Sequence, residues 1–314
     1  MLTRRHIRIK VMQSVYSFNL GQQNKLEQEV LFFKESVDQT FNLYLLLLGL
    51  LKALQAHAED QLEIIEKNKI QNESQSNILK TFSKNRILIF LKDHEVLAKQ
   101  LDNKKLVKWD LEFKFMEDLF NSIVKSQLFK SYLELENPSE EEDLRLIAKL
   151  FKSHVATSSF LYDYIEDHCL TWADDLPMVN TFLLKMLKQI DVNSPQSLSF
   201  PRPSENKEDT DFGIQLLEKV ITKDEKLQEE LLGKTPNWDA ERIAQLDNII
   251  LKVAIAELLY FPMIPSKVTL NEYLEIAKDY STPKSNNFVN GVLDKLVKEF
   301  DQENRLNKTG RGLL

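Results

Sequence analysis

Two groups of residues in this sequence have the types and spacing to do chemistry, and they differ in kind. The first is Asp163, Glu166, Asp167, His168 and Cys169, a local run of metal-ligating side chains. On a helix, residues four apart are neighbours, so Asp163 and Asp167 could present two carboxylates to one cation. A closed site needs further ligands in fixed geometry. None is evident here, and a solvated acidic face is the reading that fits these residues. The five histidines stand apart, at 6, 57, 94, 154 and 168. The sequence has no Gly-rich phosphate loop, Cys-x-x-Cys, His-Glu-x-x-His or nucleophile elbow. No enzymatic activity is expected, and no metal or other cofactor.

The second group is basic. Residues 1–26 contain five Arg or Lys and no Asp or Glu, so they carry +5 while the remainder carries −12, for a net −7. A basic end on an acidic body can contact phosphates although the whole chain is acidic. Arg4, Arg5 and Arg8 lie in a predicted helix from about Thr3 to Leu20, with Thr3 as its N-cap. Its buried stripe is Ile7, Val11, Val15 and Phe18, while Arg5, Arg8, Met12 and Tyr16 share an adjacent face. Arginines at a helix N-terminus oppose the macrodipole by some tenths of a kcal/mol each, which points to a purpose outside the helix.

The elements that must position these residues are helical. Only seven glycines occur in 314 residues, no proline precedes Pro138, and Leu, Lys, Glu and Ile dominate. That is an all-α composition, and the length suits one large or two ordinary domains. A single cysteine excludes an internal disulfide framework and fits a reducing compartment. The basic start leads into no apolar signal region. The richest apolar run, Phe41 to Leu54, is interrupted by Asn42 and Lys52 and is too short to span a bilayer. A cytoplasmic protein with no membrane partner is expected.

Between Gly21 and about Ser204 the pattern predicts helices at roughly Leu26–Ala58, Asp60–Glu66, Asn77–Lys99, Asp110–Leu135, Ser139–Asp167 and Pro177–Ile190. Ser139 is an N-cap with an acidic first turn. Pro195, Pro201 and Pro203 mark a linker over 193–209. Asp211 to Leu232 reads as a helix capped by Gly233. From Trp238 a helix apolar on nearly every side follows, as expected for the centre of a bundle, and Pro262 and Pro265 end it. Thr269-Leu-Asn-Glu272 fits a capping box. A last helix opens near Ser285 with Phe288, Val292, Leu293, Leu296 and Phe300 on one face. Gly291 inside it is expected to mark close packing. The polar tail 301–314 is expected to fray.

Several strings here resemble one family closely. They are Ile264-Pro-Ser-Lys-Val-Thr-Leu-Asn-Glu272, Glu275-Ile-Ala-Lys278, and Lys284-Ser-Asn-Asn-Phe-Val-Asn-Gly-Val-Leu-Asp-Lys-Leu296. In order and without a large gap from about Asp211 to Phe300, they resemble the C-terminal half of the NusB family of transcription antitermination factors. Arg4-Arg5-His6-Ile-Arg8 and Gln13-Ser-Val-Tyr16 are similar to the family's start. Family members join these two parts with far fewer residues, so 21–204 reads as an inserted helical region. The module itself is then 1–20 together with 205–300.

The resemblance implies an all-α NusB-like fold of packed bundles that binds boxA-type single-stranded RNA. It also implies a heterodimer with NusE, a small-subunit ribosomal protein, acting in an RNA polymerase antitermination complex on ribosomal RNA operons. Carried over by position, Arg4, Arg5 and Arg8 would hold phosphates, and Tyr16 and Phe288 would offer stacking or apolar surfaces. Asp247 would accept from a base, and Lys284 and Ser285 would lie in the turn that approaches the RNA. Lys284 departs from the acid some members have there, and His6 from what is often another arginine. The alternative is a NusB-fold interaction module that no longer reads RNA, with the insertion driving self-association or binding another protein. An accessory domain of an RNA methyltransferase lacks its Rossmann glycine loop and catalytic cysteine here.

Overall fold

The computed structural model describes residues 2–21, 25–68, 72–103, 109–202, 206–232 and 245–313. The described residues are helical, with turns and no strand, so the fold is all-α. Two compact units divide the chain, 38–202 and 2–37 with 203–314.

Helix α1 (Arg4–Leu20) begins after an extended Thr3. The Thr3 amide donates to Nδ1 of His6 at 3.2 Å. The histidine, at the third helical position, thus takes the role usually filled by Glu or Gln in a capping box. Ile7, Val11 and Val15 are buried as the periodicity predicts, and so are Arg8 and Met12. Helix α2 (Leu26–Lys67) is continuous through Asp60, where a break is expected from the sequence. It is long and apolar enough to cross a membrane, but 72% of its most apolar window is buried, the pattern of a core helix. Its residues to Val37 belong to the terminal unit and the rest to the inserted one. Phe33 and Val37 are buried with Ile7 and Phe212, which moves that boundary beyond Gly21.

The inserted unit continues with α3 (Glu73–Ser83), α4 (Arg86–Asp93), α5 (Glu95–Asn103), α6 (Phe113–Lys125), α7 (Gln127–Leu133), α8 (Glu140–Leu150), α9 (Ser159–His168) and α10 (Leu170–Leu187). Side-chain caps set several of these starts. Asn72, Asn85, Ser126 and Ser158 each accept an early helical amide. Ser139 and Glu142 form a reciprocal capping box. The stretch expected as one helix from Ser139 is interrupted by a π turn at Phe151–Val155. Pro177, expected to open the next helix, lies inside α10, whose start is seven residues earlier at Leu170. Leu43, Leu46, Leu47, Leu50 and Leu54 of α2 are buried in this unit's core.

The terminal unit is completed by α11 (Lys207–Thr222), α12 (Asp224–Leu231), α13 (Gln245–Tyr260), α14 (Ser266–Tyr280) and α15 (Ser285–Gln302). The single helix expected over Asp211–Leu232 is split at Lys223, and Gly233, Trp238 and Ile243 lie outside the described residues. Every residue of α13 from Ile249 to Leu258 is buried, the bundle centre its composition predicts. Helix α14 starts with Pro265 as N-cap, not at Thr269, so the proposed capping box is not formed. An N-terminal proline with its φ already near −60° starts a helix readily, and Thr269 and Glu272 become interior positions with other partners. Gly213 of α11 sits where an added Cβ would be 2.2 Å from Cζ of Phe33, so close helix packing falls here. At Gly291 nothing lies within 4 Å of that position, against expectation.

The tail expected to fray packs back instead. Arg305 pairs with Glu230 and stacks its guanidinium 4.6 Å from the Phe300 ring centroid. The Thr309 amide donates to the Pro262 carbonyl at 3.0 Å.

Candidate nucleic-acid interface

The residues expected to form a site fall into two groups within the terminal unit. The first is built around Asp247, in the first turn of α13 and buried. Its Oδ1 accepts from Ser281 Oγ at 2.5 Å and its Oδ2 from Ser285 Oγ at 2.7 Å. Thr282 Oγ1 lies 2.8 Å from Ser285 Oγ. A buried carboxylate needs such donors, since leaving it unpaired would cost its hydration. Asp247 therefore ties the turn between α14 and α15 to α13. Ser285 is buried, Phe288 is buried one turn further along α15, and Lys284 is left exposed at the apex. Asp247, Ser285 and Phe288 shape this turn from beneath, and Lys284 is the side chain it offers to solvent.

The second group is the arginine end of α1, where exposure falls step by step. Arg4 is 41% exposed and pairs with Asp209 at 2.8 Å and with Glu208. Arg5 grips Glu272 with Nε and Nη2, each 2.9 Å from a carboxylate oxygen. Arg8 is 3% exposed, and its Nε and Nη2 donate to the two oxygens of Glu257 at 2.7 and 2.8 Å. Glu257 accepts two more hydrogen bonds, from Thr269 Oγ1 at 2.8 Å and from the Tyr273 hydroxyl at 3.0 Å. All of Glu257's partners lie on the elements it must hold together, α1 and α14.

The electrostatics follow. Burial disfavours the Arg8 cation, but the Glu257 hydrogen bonds and charge outweigh it and hold the proton more firmly than on a free arginine. The hydrogen bond from Arg5 lowers the Glu272 carboxyl below its ordinary range against an opposing effect of burial. Burial, with Glu257 alongside, pushes the Tyr273 hydroxyl well up.

The two groups are separate. Arg8 meets α13 at Glu257, ten residues beyond Asp247, which at 1.5 Å per residue is about 15 Å along the helix. Tyr16 lies two turns beyond Arg8 on α1 and is 39% exposed. Sequence reasoning did not single out Glu257 or its hydroxyl partners. The signal was a lone carboxylate inside the apolar run Ile255-Ala-Glu-Leu-Leu259. Such a group must be paired if its helix is buried. Among the described residues no group of three or more His, Cys, Asp or Glu is placed to hold a metal ion. His168 instead sets its Nδ1 at 2.7 Å from the Tyr164 carbonyl.

A family model described as the NusB family matches residues 180–298. The chain is similar to proteins named Transcription antitermination protein NusB from three organisms. With that of Salinibacter ruber it shares 43% identity over 104 residues, 33% of this chain and 65% of the relative. With that of Chloroherpeton thalassium it shares 40% over 104 residues, 33% of this chain and 49% of the relative. With that of Koribacter versatilis it shares 33% over 131 residues, 42% of this chain and 90% of the relative. The chain thus spans less than two thirds of the first two relatives and nearly all of the third. No solved structure matches it.

Proposed function

The chain belongs to the NusB family, and we propose that it is an RNA-binding transcription antitermination factor. It would recognise boxA-type single-stranded RNA together with the ribosomal protein NusE and support ribosomal RNA transcription in an RNA polymerase complex. The observation that carries this reading is the similarity to proteins named for antitermination, across 90% of the length of one of them.

The geometry supports it in a graded way. Unpaired RNA is bound by phosphate contacts and by stacking on aromatic planes. Lys284, exposed on a turn fixed by Asp247, offers a phosphate contact at little reorganisation, and Tyr16 offers a partly exposed ring. Arg4 is held only by exposed acids, and such pairs contribute about 0–1 kcal/mol, so a phosphate could replace them. Arg5 would exchange a two-pronged carboxylate for a phosphate. Arg8 would have to abandon a buried Glu257, so its role is to hold α1 in place. Binding of a boxA-like strand with NusE, lost in part on Lys284→Ala and Tyr16→Ala, tests the reading. Unchanged affinity in both variants would remove the site.

A second reading is favoured by one observation. Arg4, Arg5 and Arg8 are all paired with acids of the same chain. A NusB-fold interaction module that no longer reads RNA would show that pairing. In it, addition of NusE would not produce sequence-selective RNA binding.

A further inference from the structure

The inserted unit carries an aromatic ladder at its surface that nothing above uses. Phe115 and Phe160 stack with centroids 4.5 Å apart, Phe160 and Tyr164 lie 6.3 Å apart, and Tyr164 and His168 lie 4.0 Å apart. Trp109 backs the row, 5.2 Å from Tyr164 and 5.6 Å from Phe115. Its indole N–H is fixed on the Leu46 carbonyl at 2.9 Å. The inner members are buried, but the outer edge is not. Leu111 is 68%, Phe113 75% and Phe160 46% exposed. Large apolar side chains gathered in one place and left in water mark interaction surfaces more often than scattered ones do.

The charge around this edge has one sign. Asp163 and Asp167 stand at the same helix face as Phe160 and Tyr164, three or four residues apart, and Glu112 lies between Leu111 and Phe113. Segments 111–118 and 159–168 together contain six carboxylates, Glu112, Glu117, Asp118, Asp163, Glu166 and Asp167, against the single cation Lys114. None of the six makes an ion pair among the described residues, although eleven other carboxylates of the chain do. The Tyr164 hydroxyl, within electrostatic reach of Glu112, is buried with no hydrogen-bond partner. The free protein thus leaves both a negative field and a polar group unsatisfied at the ladder.

We propose that this acidic aromatic face of α6 and α9 is a docking surface for an arginine- and lysine-rich segment of a partner protein. Guanidinium and ammonium groups sit favourably over exposed aromatic rings, and the carboxylates supply the complementary charge that steers and orients them. The same field repels RNA phosphates and anionic lipid, which makes either a poor occupant. The inference concerns the inserted unit and is independent of the reading given for the terminal unit.

The test is calorimetric titration of the full chain with a short synthetic peptide of alternating Arg, Lys and Leu, at low and high salt. A peptide with Glu in place of each Arg and Lys is the control. Two variants accompany it, Phe113→Ser and the triple change Glu112→Gln, Asp163→Asn and Asp167→Asn. All four positions lie at or near the surface, so a thermal melt close to the native one is expected of both. The basic peptide should bind, weaken with salt, and lose about tenfold in affinity in each variant, a change of about 1.4 kcal/mol. No binding, equal binding of the acidic peptide, or full affinity in the variants would overturn the proposal. So would a single-stranded RNA that bound the native chain and lost its affinity in these variants.

Discussion

Arg8 and Glu257, 249 residues apart in sequence, meet inside the terminal unit as a two-pronged ion pair with both side chains out of water. The pair fastens the basic start of the chain to the bundle's central helix, and Thr269 and Tyr273 complete the shell around the carboxylate. A residue expected to face RNA phosphate is thus the anchor of its helix.

Removing one partner alone strands the other. Glu257→Gln is expected to lower the unfolding free energy by about 3–5 kcal/mol, the usual consequence of leaving a buried charge uncompensated. Arg8→Met combined with Glu257→Leu should recover part of that loss. It should not recover all of it, because Thr269 and Tyr273 lose their acceptor. Urea denaturation of the two variants decides the matter, and a Glu257→Gln protein as stable as the native one would show that the pair does not anchor α1.

Two glycines predict opposite outcomes. Alanine at Gly213 would drive its methyl against Phe33 and Ile7, and overpacking of this kind costs about 1–3 kcal/mol. Alanine at Gly291 meets open space, so the helix propensity should appear as a gain of about 0.8–1 kcal/mol. Thermal melts of both variants check this pair of signs.

Much of this fold was legible in the sequence. An apolar helix with prolines behind it reads as the centre of a bundle, and Ser285 reads as a helix start. What was hidden was long-range. Thr269 and Glu272 satisfy the local grammar of a capping box, yet Pro265 begins the helix earlier and both side chains turn to partners on α13 and α1. Arg5, Arg8 and Tyr16 do share a helix face, but periodicity cannot say that the face is covered at Arg8 and open at Tyr16. Asp247 could be read as an acceptor for a base. Only the fold reveals the two serines that occupy it.

Acid should weaken the arginine end of α1. The folded-state pKa of Glu272 lies below its ordinary 4.5 because Arg5 donates to it. A depressed carboxylate contributes stability that is present above its unfolded pKa and lost as pH falls through the folded value. Stability of the native chain should therefore decline below about pH 4.5 more steeply than that of Glu272→Gln. Parallel acid titrations of the two proteins, followed by circular dichroism, would contradict this if their curves kept a constant separation.

Lys284 should report on the charge of the RNA. If it contacts one phosphate, Lys284→Ala reduces the slope of log affinity against log salt by about 0.7. Arg8→Lys should leave that slope unchanged, since the group does not reach solvent.

The most direct measurement is binding of a boxA-like single-stranded RNA and of a scrambled strand to the full chain, with and without NusE, at two salt concentrations. The account predicts preference for the boxA-like strand, strengthening by NusE and weakening by salt. Equal affinity for both strands with NusE present would contradict it and leave the interaction module as the reading.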